Sequence, residues 1–378
     1  MKKSLFSFLT LLLVFLLVSC NTVPEVTTGS TAGTTAATTV GGLFATTQAT
    51  TEYETTTSED DEYEEPQWIL NTTNRRTYSL HHTGVMMREL TIKTHLGGDP
   101  VVISQLTDTH IIYFNEQDLA DPFYKSVYDA YNNPSINGWP LSNVRFTMSA
   151  ASKDADAVVV TGDVVSCYSS GSLQKANEYI FSKHDNVLAA LGNHDVSRVD
   201  VHGHIPDPMS MEDLRFLLAG GWSNDIAYES QVIGDKVMAI VIDNSLGFRD
   251  EQVPRLTADL ATAREMGYIV LMFYHVPLCT GLEEDNNLAP EWGNHQNWPF
   301  GTTSAYVGPH SKGVDAKIYS MIRRNGDIIR GLFCGHVHGD FYMEIPAKTI
   351  DGIETMIPQY VMTPVMSNSG HFLRITVE

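Results

Sequence analysis

Six apolar runs rich in Val and Ile recur along the 378-residue chain, and each stops at polar residues: "VVISQLTDTH", "AVVVTGD", "VLAALGNHD", "VMAIVIDN", "YIVLMFYH" and "IRGLFCGHVH". Runs that stay apolar rather than alternate are what strands look like when their sheet is covered on both faces. Helical patterns lie between them. "SMEDLRFLLAGG" opens at Ser210 with Asp213 three residues on and stops at Gly220-Gly221, "LTADLATAREMG" ends at Gly267, and "DAKIYSMIRRNG" ends at Asn325-Gly326. These are helix start and stop signals. The closing "YVMTPVMSNSGHFLRITVE" reads as two more strands. Strands alternating with helices predict an α/β domain over residues 66–378, without internal repeats. Polar residues at the carboxyl ends of such strands face the ligand crevice of an open α/β sheet. From Thr280 to Lys312 the periodicity fails, although Trp292, His295, Trp298 and His310 lie there. A stretch that long is either disordered or a functional loop, and we read it as a loop folded over the site.

The pattern changes sharply at the amino end. Residues 1–20, "MKKSLFSFLTLLLVFLLVSC", join two lysines to an apolar stretch too short for a membrane span, the layout of an export signal. The end of that segment, Leu17 to Cys20, resembles the lipobox of bacterial lipoproteins. The resemblance implies cleavage before Cys20 and a lipid on its thiol, anchoring the exported protein to the outer face of a bacterial cell membrane. Residues 21–65 are rich in Thr, Ser, Ala and Gly and close on "SEDDEYEEP". So little apolar surface predicts a disordered tether, averaging on the order of 40 Å end to end and reaching ~150 Å when pulled straight.

Net charge is −21, which argues against general nucleic-acid binding. Without the nine acids of the tether and the two lysines of the signal, the body still carries −14. An acidic body that acts on anions needs a local positive centre, and bound metal supplies one. The four cysteines exclude a disulfide scaffold. If Cys20 is lipidated, Cys167, Cys279 and Cys334 remain, an odd count that leaves at most one bridge among them.

The chemistry sits at the strand ends. His336 and His338 are two residues apart on an extended segment and so project to one side, as metal-binding imidazoles or as polar residues at a strand end. Asp108 and His110 stand in "LTDTH", Asp163 in "VTGDVVS", Asn193, His194 and Asp195 in "LGNHD", and His275 in "MFYHVP". In order and context these five blocks resemble the calcineurin-like metallophosphoesterase superfamily, whose pattern runs D-x-H, G-D-x-x, G-N-H-D/E, a lone H, then G-H-x-H. The resemblance spans residues 108 to 338 and implies an αββα sandwich of two mixed β-sheets flanked by helices, with a dinuclear metal site at the strand-end loops. It implies Asp108, His110, Asp163 and His338 on one metal and Asp163, Asn193, His275 and His336 on the other, with Asp163 bridging. A hydroxide held between the metals would attack phosphorus, and His194 would protonate the departing oxygen. Imidazole, carboxylate and amide ligands suit Mn, Fe, Zn or Ni.

Asp195 matches the acidic position of the third block, either orienting His194 in catalysis or bracing the loop. Ser166 departs from the family: purple acid phosphatases carry a metal-binding Tyr there and the Ser/Thr protein phosphatases an Asp that supports the catalytic His. The tyrosinate colour is therefore not expected, and the group that supports His194 is left open. Arg198 is placed to meet a substrate phosphate or to form a surface ion pair. His202 and His204 follow no apolar strand and read as loop residues, and His371 reads as structural. The expected activity is metal-dependent hydrolysis of phosphate esters, monoesters first. Phosphodiesters of nucleotides, lipid head groups or wall polymers are the alternative, and a non-catalytic metal-binding protein of this fold is the remaining reading.

Overall fold

The computed structural model describes residues 50–53, 68–71, 76–79, 84–130, 141–196, 209–218, 222–280, 306–367 and 369–378. The described residues all belong to one compact unit, Phe44–Glu378. In chain order its strands are Thr50–Tyr53 (β1), Trp68–Asn71 (β2), Arg76–Ser79 (β3), Val85–Ile92 (β4), Val101–Leu106 (β5), Ala157–Thr161 (β6) and Val187–Ala190 (β7). Tyr228–Ile233 (β8), Val237–Ile242 (β9), Ile269–Phe273 (β10), Ile329–Cys334 (β11), Phe341–Lys348 (β12), Glu354–Val361 (β13) and Gly370–Val377 (β14) follow. The helices are Glu116–Leu119 (α1), Pro122–Ala130 (α2), Leu141–Ser152 (α3), Ser170–Ala176 (α4), Met211–Leu218 (α5), Gln252–Met266 (α6) and Gly313–Arg323 (α7).

Two six-stranded mixed sheets result, ordered β1-β4-β14-β5-β6-β7 and β12-β13-β11-β10-β9-β8, beside a β2-β3 hairpin. The apolar runs supply the reason. Along β9, Val237, Ala239 and Val241 enter the core shared by the two sheets. Met238, Ile240 and Ile242 point the other way, onto Leu256 and Leu260 of α6 and Ile318 and Ile322 of α7. Along β6, Ala157 and Val159 join the shared core, while Val158 and Val160 pack with Val144 and Met148 of α3 and Leu214 of α5. Each strand is thus buried on both faces, which is why its sequence does not alternate. The architecture is the expected αββα sandwich.

Strands β5, β6 and β7 run parallel in the first sheet, and β9, β10, β11 and β13 run parallel in the second. Parallel neighbours end together, so the chemistry-bearing loops after β5, β6, β7, β10 and β11 gather at one edge. Gly267 ends α6 in the left-handed conformation, φ 75°, as its place in the sequence implies. α6 begins at Gln252, one turn before the apolar signal, because Pro254 is tolerated in a first turn.

The tether expected over 21–65 needs one correction. Thr50–Tyr53 forms β1, antiparallel to β4 with Tyr53 opposite Val85. An edge strand needs backbone pairing more than a buried face, and the run Thr-Thr-Glu-Tyr has the β-branched and aromatic residues that favour it. The rest of the tether, the signal segment with Cys20, and residues 281–305 of the expected loop lie outside the described residues. Cys167, Cys279 and Cys334 are buried, and no disulfide joins any two of them. No helix among the described residues is long and apolar enough to cross a membrane.

Between the sheets Phe333 stacks on Phe273, centroids 5.1 Å apart, and on Tyr360 at 5.3 Å. Truncating it opens a cavity at the centre of the sandwich. Phe333→Ala is expected to lower unfolding stability by ~3–5 kcal/mol, read as a shifted denaturant midpoint; an unchanged midpoint would contradict this core.

Candidate active site

The strand-end loops lock together before any ligand is considered. Asp108 N–H donates to the carbonyl of Gly162 (3.0 Å), His110 N–H to that of Asp163 (2.9 Å), and Gly335 N–H to that of His275 (3.0 Å). Asp108, His110, Asp163, His336 and His338 all have positive φ, between 45° and 73°. Asp and His tolerate this left-handed region better than most residues, at a cost of order 1–3 kcal/mol each. Such strain persists only where the surroundings impose it, and it clusters here on five of the seven expected ligands. Two glycines show how tightly the loops abut. A Cβ on Gly192 would fall 2.1 Å from the backbone nitrogen of Asp163, and one on Gly335 would fall 1.8 Å from Thr107 Oγ1.

All seven expected ligands converge. His110 Nε2 lies 3.1 Å from His338 Nε2, 3.7 Å from Asp108 Oδ1 and 3.5 Å from Asp163 Oδ2. His338 Nε2 is 3.2 Å from Asp108 Oδ1. In a second group, His275 Nε2 lies 3.2 Å from Asp163 Oδ2 and 3.1 Å from Asn193 Oδ1. His336 Nδ1 is 3.0 Å from Asn193 Oδ1 and 3.2 Å from His275 Nε2. Asp163 Oδ2 belongs to both groups.

The two carboxylates divide their oxygens alike. Asp163 Oδ1 accepts from His194 N–H at 2.9 Å, leaving Oδ2 for the groups. Asp108 Oδ2 accepts from Thr107 Oγ1 at 2.6 Å and from His336 N–H at 3.0 Å. Its Oδ1 is buried and makes no hydrogen bond. An orphaned buried carboxylate oxygen facing ring nitrogens is a poor arrangement for protein alone and a good one for a cation. Donors about 2.1 Å from a common ion lie about 3.0–3.4 Å apart, close to the edges observed. The residues fit two metal ions.

His275 Nδ1 donates to the carbonyl of Thr161 at 2.8 Å, which turns Nε2 to the cluster. His194 Nδ1 meets the carbonyl of Ser166 at 2.9 Å. A carbonyl only accepts, so Nδ1 carries the proton and Nε2 is the free ring nitrogen, beside the His110 ring at 4.7 Å. The chain thus meets the position left open at Ser166 with a main-chain oxygen. Asp195 does not orient His194. Its Oδ2 accepts from Gly192 and Val164 N–H (2.8 and 3.2 Å) and its Oδ1 from Val165 N–H (2.9 Å), tying one metal loop to the next. Of the two roles open to Asp195, catalytic partner or brace, its contacts fit the brace, because its buried oxygens turn to the backbone. Sequence reasoning passed over Asn244, at the end of "VMAIVIDN". Its Oδ1 accepts from His275 and Val276 N–H (3.1 and 2.9 Å), and its Nδ2 donates to the carbonyl of Val276 (2.6 Å). Arg198, His202 and His204 lie outside the described residues, and His371 sits in β14 away from the two groups.

Charge explains what the cluster demands. Burial alone would raise Asp108 and Asp163, but their imidazole neighbours hold both well below the usual carboxylate range. Burial disfavours charge on His275, yet Asp163 and Asp108 carry it up to about 10. Burial works the same way on His338, where Asp108 outweighs it and raises the pKa. His110 and His336 are pushed down to about 4, chiefly by burial. Burial and the charge of Asp163 push Asp195 up to about 7, against its three N–H donors. Without ions, a proton on His275 offsets carboxylate charge and Asp108 biases His338 toward its protonated form, and a metal must displace such protons. Metal loading near pH 7 is therefore expected to release at least one proton per chain. Affinity should rise with pH until His275 is neutral, near 10. Calorimetry in buffers of different ionisation heat measures this, and loading without proton release would contradict the assignment.

Residues 102–340 match the calcineurin-like phosphoesterase family. No curated protein matches the chain in sequence. Among solved structures the chain is similar to a dimetal phosphatase from Danio rerio, at 13% identity and TM-score 0.43, covering 71% of this chain and 89% of that one. It is also similar to a purple acid phosphatase from yellow lupin, at 13% identity and TM-score 0.41, covering 79% of this chain and 48% of that one. A phosphopantetheinyl hydrolase from Mycobacterium tuberculosis follows at 10% identity and TM-score 0.30, covering 70% and 90%. By its family match the chain is a calcineurin-like metallophosphoesterase, a metal-dependent hydrolase of phosphoric ester bonds.

Proposed function

We propose that the protein hydrolyses phosphomonoesters at a dinuclear metal centre and works outside the cell, anchored through lipid on Cys20. The observation that carries the reaction is the shared Asp163 Oδ2, which joins two donor groups beside the free nitrogen of His194. Asp108, His110, Asp163 and His338 would hold one ion, and Asp163, Asn193, His275 and His336 the other. Two such ions would supply Lewis acidity and an activated water for in-line displacement at phosphorus. Mn, Fe, Zn and Ni suit these donors.

The protein's own residues do the rest. Asp163 and Asp108 each spend one oxygen on backbone N–H and present the other, so the ligand geometry is fixed before substrate arrives. His194 holds a proton on Nδ1 against the Ser166 carbonyl, takes a second from solvent on Nε2, and passes that one to the departing ester oxygen, returning to the neutral ring. Preference for a monoester follows from charge. Two divalent ions against two carboxylates would leave positive charge in excess, which attracts a phosphomonoester dianion more strongly than a singly charged diester.

Turnover by the full chain of a nitrophenyl phosphate monoester and the matching bis-ester, each with Mn, Fe, Zn and Ni, tests the preference. A monoester rate at least about tenfold higher is expected; the reverse would reassign the enzyme to diesters of nucleotides, lipid head groups or wall polymers. His194→Ala is expected to keep its metals and lose about 10²–10⁴ in turnover, whereas Asp163→Asn should lose metal and turnover together. Full activity with unchanged metal content in Asp163→Asn would refute the site.

Cys20→Ala is expected to move the protein from the membrane to the soluble fraction. Unchanged detergent partitioning would refute lipidation there.

A further inference from the structure

A pocket of about 350 Å³ opens between the turn at Gly308–Pro309, helix α7 and the end of β12. Three cationic side chains line it, Arg323 and Arg324 from the end of α7 and Lys348 from β12, with Ser320 and Tyr319 beside them and no carboxylate among the described lining residues. In a chain of net charge −21, three cations around one concavity are out of keeping with the rest of the surface. Helix ends do attract basic residues, because the carboxyl end of a helix is its negative pole. That accounts for the two arginines but not for Lys348, which arrives from a separate strand, nor for the cavity between them.

The cations are only lightly compensated. Arg323 directs Nε to the carbonyl of Pro346 and lies over the Tyr319 ring, 5.6 Å from its centroid. That contact fixes the plane of the guanidinium and leaves its terminal nitrogens for another acceptor. Among the described residues Lys348 pairs with Glu354, at 3.8 Å with both side chains well exposed, an arrangement that holds a lysine weakly. Arg324 is exposed at the end of α7 and forms no ion pair among the described residues. A rigid guanidinium, a second guanidinium and an ammonium from another direction form a cradle suited to phosphate, sulfonate or carboxylate groups. The volume exceeds that of one such group.

We infer that this pocket binds a small organic polyanion, one carrying two or more phosphate-like groups, at a site separate from the metal centre. Its position links it to that centre. Gly308 packs on Cys279 so closely that a Cβ would fall 2.3 Å from the cysteine's own. Tyr319 OH donates to the carbonyl of Cys279 at 2.7 Å. Two residues before Gly308, the Tyr306 ring lies 6.1 Å from the ring of His336, one of the metal-set imidazoles. A ligand seated against the 308–309 turn therefore presses on the segment that flanks the second donor group.

Benzene-1,3-disulfonate is a suitable probe, since no phosphoester is present for the metal centre to cleave. It is titrated into the full chain twice, once loaded with metal and once stripped by chelation, and into Arg324→Glu and Lys348→Glu. Saturable one-to-one binding that survives stripping and weakens at least about tenfold in either variant is expected. Metal content and turnover of a simple monoester should be unchanged in both variants, because neither residue belongs to the metal groups. Binding that vanishes with the metals would place the probe at the metal centre and overturn the proposal. Binding that is unsaturable, or that persists undiminished in both variants, would overturn it equally. None of these outcomes bears on the phosphoesterase reading itself.

Discussion

Two carboxylates, Asp108 and Asp163, are buried at the mouth of the sandwich, where imidazoles are their charge partners among the described residues, and the rest of the site follows from that constraint. A buried negative charge has to be met by positive charge or by protonation. Here four imidazoles and an asparagine surround the pair, and each carboxylate spends one oxygen on the backbone while the other faces ring nitrogens. Imidazole is a flexible partner for this purpose, because it can carry a proton or offer a lone pair. The cluster therefore has two self-consistent states, one neutralised by protons and one by metal ions. Asp163 couples the halves, because a single oxygen serves both donor groups.

The fold makes that concentration of charge possible. Parallel strands in both sheets end at the same edge, so loops distant in sequence, from Asp108 to His338, meet there. Five residues of the donor groups take left-handed backbone, and the strain is borne by hydrogen bonds between loops and by the packed sandwich beneath them. Asp195 and Asn244 belong to this support: one ties the loop after β7 to the loop after β6, the other holds the His275 backbone. Neither touches the reacting atoms in this arrangement, yet the geometry of both donor groups rests on them.

Much of this could be read before the structure. Strands buried on both faces announce themselves as unbroken apolar runs, and the residues of the two donor groups follow them directly, so the fold class and the cluster were legible together. Less legible were interactions made by the main chain, since a carbonyl has no letter of its own. The carbonyls of Ser166 and Thr161 orient His194 and His275, and neither residue type suggests it. Asn244 ended a run as clearly as the ligands did, but without a histidine or a paired acid it carried no chemical signal. Asp195 was ambiguous, because an acid beside a histidine suggests a catalytic pair as readily as a brace, and its oxygens turn back to three N–H groups. β1 shows a third limit, since edge pairing asks little of composition and hides within a polar, Thr-rich stretch.

The central claim is that one carboxylate oxygen joins two metal positions. Anomalous diffraction from crystals grown with manganese or zinc tests it most directly. The account predicts two peaks flanking the Asp163 carboxylate, one within reach of Asp108, His110 and His338 and the other of Asn193, His275 and His336. A single peak, or two peaks that do not share Asp163, would contradict it.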